Sequence, residues 1–265
     1  MYQKIKYKDL DAIKIGKIGK KINTNCIVYR INETVIDTGP PNQWKQVKDF
    51  LDEKKFENIL ITHHHEDHSG NGFEIRQNYD TKIYSNELSY EYCKNGYIVE
   101  LYRRYTWGKP KKFNTDIAPE KIETNSGLVF LSIKTPGHSD DMNCYLETNR
   151  GWLFTGDLYI SSKITHSRKE ENPYLDLESL TDILKYDFST VFCSHRGVLE
   201  DGKKIIQNKI NYLTEIKEKV SFMKKEGRSL SETTKLIMGK EDFFTYISMF
   251  NFSKKNFIKS FWDKV

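Results

Sequence analysis

An α/β fold is what this sequence predicts, and three observations carry the prediction. Short apolar runs of strand length dominate before residue 200, amphipathic segments of helical period fall between and after them, and the strand-like runs end repeatedly in a histidine or an aspartate. At 265 residues the chain is long enough to bury a sizeable core, and its 16 Tyr and 15 Phe make that core aromatic.

Residues 2–7, 12–18 and 25–31 read as strands, because Ile13, Ile15 and Ile18 alternate and Cys26, Ile27, Val28 and Tyr29 form an apolar run. Thr34, Val35 and Ile36 make a further strand that runs into Asp37-Thr38-Gly39 and is stopped by Pro40 and Pro41. Residues 42–54 follow as an amphipathic helix with Trp44, Val47 and Leu51 on one side. A buried strand over 58–62 then delivers Thr62-His63-His64-His65-Glu66-Asp67-His68-Ser69-Gly70 from its carboxyl end, where a scaffold can aim side chains. Beyond it a helix is expected over 71–79, a strand over 81–84 and a helix over 86–94.

Residues 97–113 interleave Tyr97, Tyr102, Tyr105, Trp107 and Phe113 with Arg103, Arg104 and three lysines. The stretch reads as a lid over a cleft or as a connector packed on its own domain. A second β-rich half starts near Lys121, with strands at 129–134, 143–147 and 152–155, a helix at 177–186 and a strand at 190–193. From 201 to 225 the period is that of one long helix, ended by Gly227; capping residues at Ser229 and Ser253 open two more. A soft boundary falls near residue 205, separating 1–205 from a helical segment, 206–265.

Lys and Arg exceed Asp and Glu by 42 to 37, a formal charge of +5 that is scattered and gives only a mild bias toward anionic substrates. The four cysteines, Cys26, Cys93, Cys144 and Cys193, show no close pairing and read as buried thiols. The first six residues lack the apolar run of a signal peptide, and no stretch is long enough to span a bilayer. A cytoplasmic protein without a membrane partner is therefore expected.

The chemistry concentrates in His63, His65, Asp67 and His68, four side chains with lone pairs suited to a borderline metal. Later strand ends offer His138, Asp157 and His195, each beside a glycine or close to one. His64 is expected to point away from a metal, Glu66 to act as a spacer, and His166 to be solvated in a polar loop. Ser139 and Ser194 adjoin ligands but are left without a base, which argues against serine nucleophilic catalysis.

The order His-x-His-x-Asp-His, Pro-Gly-His, Thr-Gly-Asp and Ser-His-Arg-Gly, preceded by Ile36-Asp37-Thr38-Gly39, closely resembles the metallo-β-lactamase superfamily over residues 22–197. The resemblance implies a four-layer αββα sandwich with the metals at one edge and a C-terminal helical, winged-helix-like extension. It implies that His63, His65 and His138 hold one metal, that Asp67, His68 and His195 hold a second, and that Asp157 bridges them while Asp37 orients the loop. A hydroxide between the metals would be the nucleophile, and Asp67 would pass a proton to the leaving group. Zinc is the default ion, with iron and manganese compatible with the same donors.

A small-molecule ester, lactone or thioester is the expected substrate. Tyr159 and Arg196 are candidate substrate contacts. A metal-dependent phosphodiesterase cutting single-stranded RNA is the alternative, motivated by Lys217, Lys219, Lys224, Lys225, Arg228, Lys254, Lys255 and Lys259 within residues 206–265; a non-hydrolytic iron dioxygenase is a further one.

Overall fold

The computed structural model of the protein describes residues 1–17 and 24–265. Ile18, expected at the end of a strand, lies outside the described residues. Seven strands form one sheet in sequence order: β1 (Tyr2–Tyr7), β2 (Leu10–Ile15), β3 (Cys26–Ile31), β4 (Thr34–Ile36), β5 (Asn58–Leu60), β6 (Lys82–Ser85) and β7 (Asp116–Ile117). Its first four strands pair antiparallel and β4 to β7 pair parallel. The second sheet has six strands: β8 (Lys121–Glu123), β9 (Val129–Lys134), β10 (Asn143–Glu147), β11 (Trp152–Gly156), β12 (Thr190–Cys193) and β13 (Gly197–Leu199). Only β11 and β12 run parallel in it.

Period-two alternation sorts these residues into layers. On β3, Ile27, Tyr29 and Ile31 point between the sheets, whereas Cys26 and Val28 face the helices outside. On the opposing sheet Tyr145, Trp152, Phe154 and Phe192 turn inward, and Cys144, Leu153 and Val191 turn outward. The inner layer is therefore aromatic, with Phe154 and Phe192 stacked at 4.7 Å and Tyr29 edge-on to both.

Helices α1 (Trp44–Asp52), α2 (Gly72–Asn78), α3 (Glu87–Asn95) and α4 (Leu101–Trp107) cover the seven-stranded sheet, and Val47, Ile75, Cys93 and Trp107 fill that core. The other sheet is covered by α5 (Pro173–Ile183), α6 (Gly202–Lys225), α7 (Leu230–Met238), α8 (Phe243–Ile247) and α9 (Lys254–Trp262). The αββα sandwich expected from the motifs is thus the fold. Ile206, Leu213, Val220, Phe257 and Phe261 of the C-terminal helices share one buried cluster with Leu153, Leu180 and Val191.

Helix α4 occupies part of the 97–113 stretch expected as a lid or a connector, and α5 begins four residues before the expected 177. Asn172 explains the earlier start: its side chain accepts from the amides of Tyr174 and Leu175, and Pro173 occupies the first turn. All four cysteines are buried and unpaired, as expected. No helix among the described residues is long and apolar enough to cross a membrane.

Because Phe257 is fully buried against the second sheet, Phe257→Ala is expected to cost about 3–5 kcal/mol. Urea unfolding followed by fluorescence and far-UV circular dichroism checks this. A single coincident transition is expected for the wild type, and a separate early transition in the variant would instead mark 206–265 as an independent unit.

Candidate metal centre

Strand ends assemble the site. Ile36 ends β4 just before Asp37, Leu60 ends β5 just before residues 62–70, and β9, β11 and β12 lead to His138, Asp157 and His195. Asp157 is aimed by an irregularity: the pairing of β11 with β12 shifts register between Phe154 and Gly156, and Gly156 takes φ +49°. A Cβ there would lie 2.4 Å from Met142 Cε and 2.8 Å from Thr62 Oγ1, so the strand turns only with glycine.

Three overlapping groups of donor atoms result. They are His63, His65 and His138; His63, His68 and Asp157; and Asp67, His68 and His195, with the atoms of each group within 4.8 Å of one another. His65 Nδ1 lies 2.9 Å from His63 Nε2 and 3.1 Å from His138 Nε2. Asp157 Oδ2 lies 3.3 Å from His138 Nε2 and 3.2 Å from His195 Nε2, so one carboxylate faces both sides of the cluster. Asp67 Oδ2 is 3.6 Å from His195 Nε2 and 3.7 Å from His68 Nε2.

Neighbouring groups orient these rings. The Asp37 carboxylate accepts from Thr62 N at 2.8 Å, from Ser194 Oγ at 3.2 Å and from His68 Nδ1 at 2.7 Å. His195 Nδ1 donates to the Asn25 carbonyl, which turns Nε2 toward the cluster. His138 Nδ1 sits 3.5 Å from Glu171 Oε1.

Burial pushes His63 and His65 well below the ordinary histidine pKa and His138 to about 3, so these rings are neutral. Burial also opposes the charged form of His68 and His195. There the carboxylates of Asp157 and Asp67 prevail and raise both. The donor set fits a divalent cation. Neutral imidazole nitrogens face one another at hydrogen-bond distance with too few protons to share, and buried His68 Nε2 has no hydrogen-bond partner among the described residues.

Around the seven candidate ligands, some expectations are met and others corrected. His64 points away: Nδ1 lies 2.9 Å from Asp141 Oδ1 and the ring stacks on Tyr92 at 4.1 Å. Glu66 is not a mere spacer. It is fully buried and bound by both Nε and Nη2 of Arg103 at 2.8 and 2.5 Å, because a carboxylate out of water needs a counter-charge. His166 is not solvated either; it stacks on Phe252 and its Nε2 lies 2.9 Å from Asp242 Oδ2. Tyr159 is buried with its hydroxyl on Ser162 Oγ at 2.9 Å, and Arg196 is exposed with Nε donating to the Ile160 carbonyl.

The segment 97–113 is joined to the candidate site at several points. Tyr97 Oη donates to the His64 carbonyl at 2.7 Å, Arg103 clamps Glu66, and the Trp107 ring lies 6.4 Å from that of His195. Arg103 and Glu171 are site residues that sequence reasoning missed, since no local spacing links position 66 to 103 or 138 to 171. The one available signal was Glu66 itself, an acid among the candidate ligands His65, Asp67 and His68.

Comparison with known proteins bears on the family and the fold. The family model of the metallo-beta-lactamase superfamily matches residues 20–195. The probable metallo-hydrolase YybB of Bacillus subtilis is 31% identical over 149 residues, covering 52% of this chain and 63% of that one. The hydroxyacylglutathione hydrolase of Rhodopseudomonas palustris is 30% identical over 103 residues, covering 39% of this chain and 34% of that one. This chain thus spans less than two thirds of the length of either relative. In three dimensions a metallo-beta-lactamase family protein from Thermus thermophilus superposes with a TM-score of 0.67 at 16% identity, covering 96% of this chain and 91% of the other, which shows the shared fold.

Arg103→Ala strands the buried Glu66 carboxylate and is expected to cost about 3–5 kcal/mol of stability, whereas Arg103→Met combined with Glu66→Leu is expected to recover most of it. Thermal and urea unfolding of the three proteins checks this. Equal losses in the single and double variants would show that the stranded carboxylate is not the source of the cost.

Proposed function

This chain belongs to the metallo-beta-lactamase superfamily, and from that premise we propose that it is a dinuclear metal-dependent hydrolase of a small ester, lactone or thioester. The observation that carries the reading is the Asp157 carboxylate, which faces His138 on one side and His195 on the other within one buried donor cluster. Two cations held close together repel, and a shared anionic ligand offsets that repulsion.

In this reading His63, His65 and His138 hold one ion, Asp67, His68 and His195 hold the other, and Asp157 lies between. Divalent cations at such a site supply hydroxide at neutral pH and a Lewis acid for the substrate oxygen. Zinc suits the donors, as do iron and manganese, and no thiolate argues for zinc alone. Asp37 fixes the His68 ring by accepting its Nδ1 proton, and Asp67 is placed to pass a proton to the leaving group. Arg196 offers an exposed guanidinium to an anionic group of the substrate, and Tyr159 a hydroxyl once it leaves Ser162.

The similarity to a protein named for hydroxyacylglutathione hydrolysis supports the ester and thioester class. Several lysines that motivate RNA cleavage are already engaged: Lys219 pairs with Glu215, Lys259 with Asp263, and Lys224 donates to the carbonyls of Trp262 and Val265. These contacts leave fewer free cations on those helices for a phosphate backbone. The iron dioxygenase reading leaves part of the donor set without a role.

Plasma-emission analysis is expected to find two metals per wild-type chain and fewer than two in Asp157→Ala; two metals retained in the variant would reject Asp157 as the bridge. One iron per chain together with oxygen consumption would overturn the hydrolase itself. A parallel screen of aryl esters, lactones, S-acyl thioesters, bis-p-nitrophenyl phosphate and single-stranded RNA is expected to give turnover on the carboxylic substrates. Turnover confined to the last two would reverse the ranking. Metal removal by chelation is expected to lower stability by about 2.7 kcal/mol relative to protein held at free metal roughly a hundredfold above its dissociation constant.

A further inference from the structure

The buried stripe of α6 is apolar at Ile206, Leu213, Ile216 and Val220, yet it also contains Lys209, whose side chain is only 2% exposed. Its Nζ donates to the Leu158 carbonyl at 2.5 Å and to Asp176 Oδ2 at 3.4 Å. Leu158 directly follows Asp157. Asp176 of α5 packs on the turn that carries His138, since a Cβ on Gly137 would lie 2.1 Å from Asp176 Oδ1. One ammonium thus reaches, directly or through one carboxylate, the backbone beside two candidate ligands whose side chains approach to 3.3 Å.

Stability alone does not account for a charge at this position. The contact with Asp176 is long, and Asp176 Oδ1 has no hydrogen-bond partner among the described residues. An ion pair of that quality, taken out of water, contributes no more than apolar side chains of the same volume. A methionine would fill the stripe as well. What the lysine adds is direction, because a short charge-assisted hydrogen bond fixes one carbonyl in one place.

That carbonyl stands where the backbone most needs holding. After β11 ends at Gly156 the chain forms no helix or strand until α5 opens at Pro173. Leu158 N donates to the Thr155 carbonyl at 3.0 Å, which closes the turn on one side, and Lys209 holds the Leu158 carbonyl on the other. Helix α6 meets the same stretch again one turn later, where Tyr212 Oη donates to the Ile164 carbonyl at 2.6 Å, and Ser253 bridges to Ser167. The C-terminal helices therefore back the whole stretch, and Lys209 makes the contact next to the candidate ligand.

We propose that Lys209 is a positioning residue of the candidate metal centre. Its ammonium holds the strand end of Asp157 and, through Asp176, the turn of His138 in one fixed relation, so that both side chains meet the same ion without rearrangement. Residues 206–265 thereby supply part of the scaffold of the site. The inference rests on the reading of His138 and Asp157 as metal ligands and is independent of the substrate.

The test is zinc affinity of the full chain, measured by competition with a chromophoric chelator, beside the thermal transition of the metal-free protein. Lys209→Met is combined with Asp176→Asn so that no carboxylate is stranded. The double variant is expected to bind zinc about tenfold to a hundredfold more weakly, with the metal-free transition not lowered. Lys209→Gln, whose amide nitrogen stops one atom short of the ammonium, is expected to lose about tenfold, and it decides the matter if the double variant does not fold. Tyr212→Phe, which removes the bond from the same helix to the Ile164 carbonyl, is expected to leave zinc affinity unchanged. Undiminished affinity in the Lys209 variants would overturn the proposal, whatever happens to their thermal transitions. An equal loss in Tyr212→Phe would assign the effect to the stretch as a whole and reject Lys209 as its source. A wild-type chain that binds no zinc, iron or manganese would bring down the metal-centre reading itself, and this inference with it.

Discussion

The carboxylate of Asp37 is the constraint on which the site depends. It is almost fully buried, yet it accepts from Thr62 N, Thr62 Oγ1, His68 Nδ1 and Ser194 Oγ, which come from loops on both sheets. A charge taken out of water is tolerated only when its lone pairs are met in this way. Its own backbone is held at φ +61°, in the left-handed region that aspartate tolerates better than most residues. One side chain thus fixes the start of the ligand loop, the tautomer of His68 and the approach of the strand end that carries His195.

That arrangement needs two sheets whose carboxyl ends meet, and the inter-sheet aromatics secure it. Tyr29 from one sheet donates to the Cys193 carbonyl at 2.6 Å, and Tyr145 from the other donates to the Ile61 carbonyl at 3.1 Å. Each hydroxyl ties the strand end just before a candidate ligand to the opposite sheet. The apolar bodies of these rings fill the core while their polar tips set its register at the site edge.

The legible parts of the molecule were those with a local signal. His63 to His68, His138, Asp157 and His195 each follow an apolar run, and the resemblance that their motifs carry placed those runs in a sandwich. Helix α4 was illegible for a physical reason: its buried positions are Arg103 and Trp107, four residues apart, and its exposed ones include Leu101 and Tyr105. A hydrophobicity pattern reads that helix backwards. His166 and Glu66 were misjudged for a related reason, because their partners Asp242 and Arg103 are far away in sequence and leave no spacing to detect.

A buried ion pair is a poor source of stability compared with apolar side chains of the same size, so the Arg103–Glu66 pair asks for another explanation. Its geometry supplies one. The carboxylate is bound by two guanidinium nitrogens of one arginine, which sets its orientation, and the residues on either side of it are His65 and Asp67. Those neighbours belong to different donor groups of the cluster. Fixing the residue between them fixes the angle at which the two groups face each other, and the arginine that does so is anchored on a helix outside the sheets.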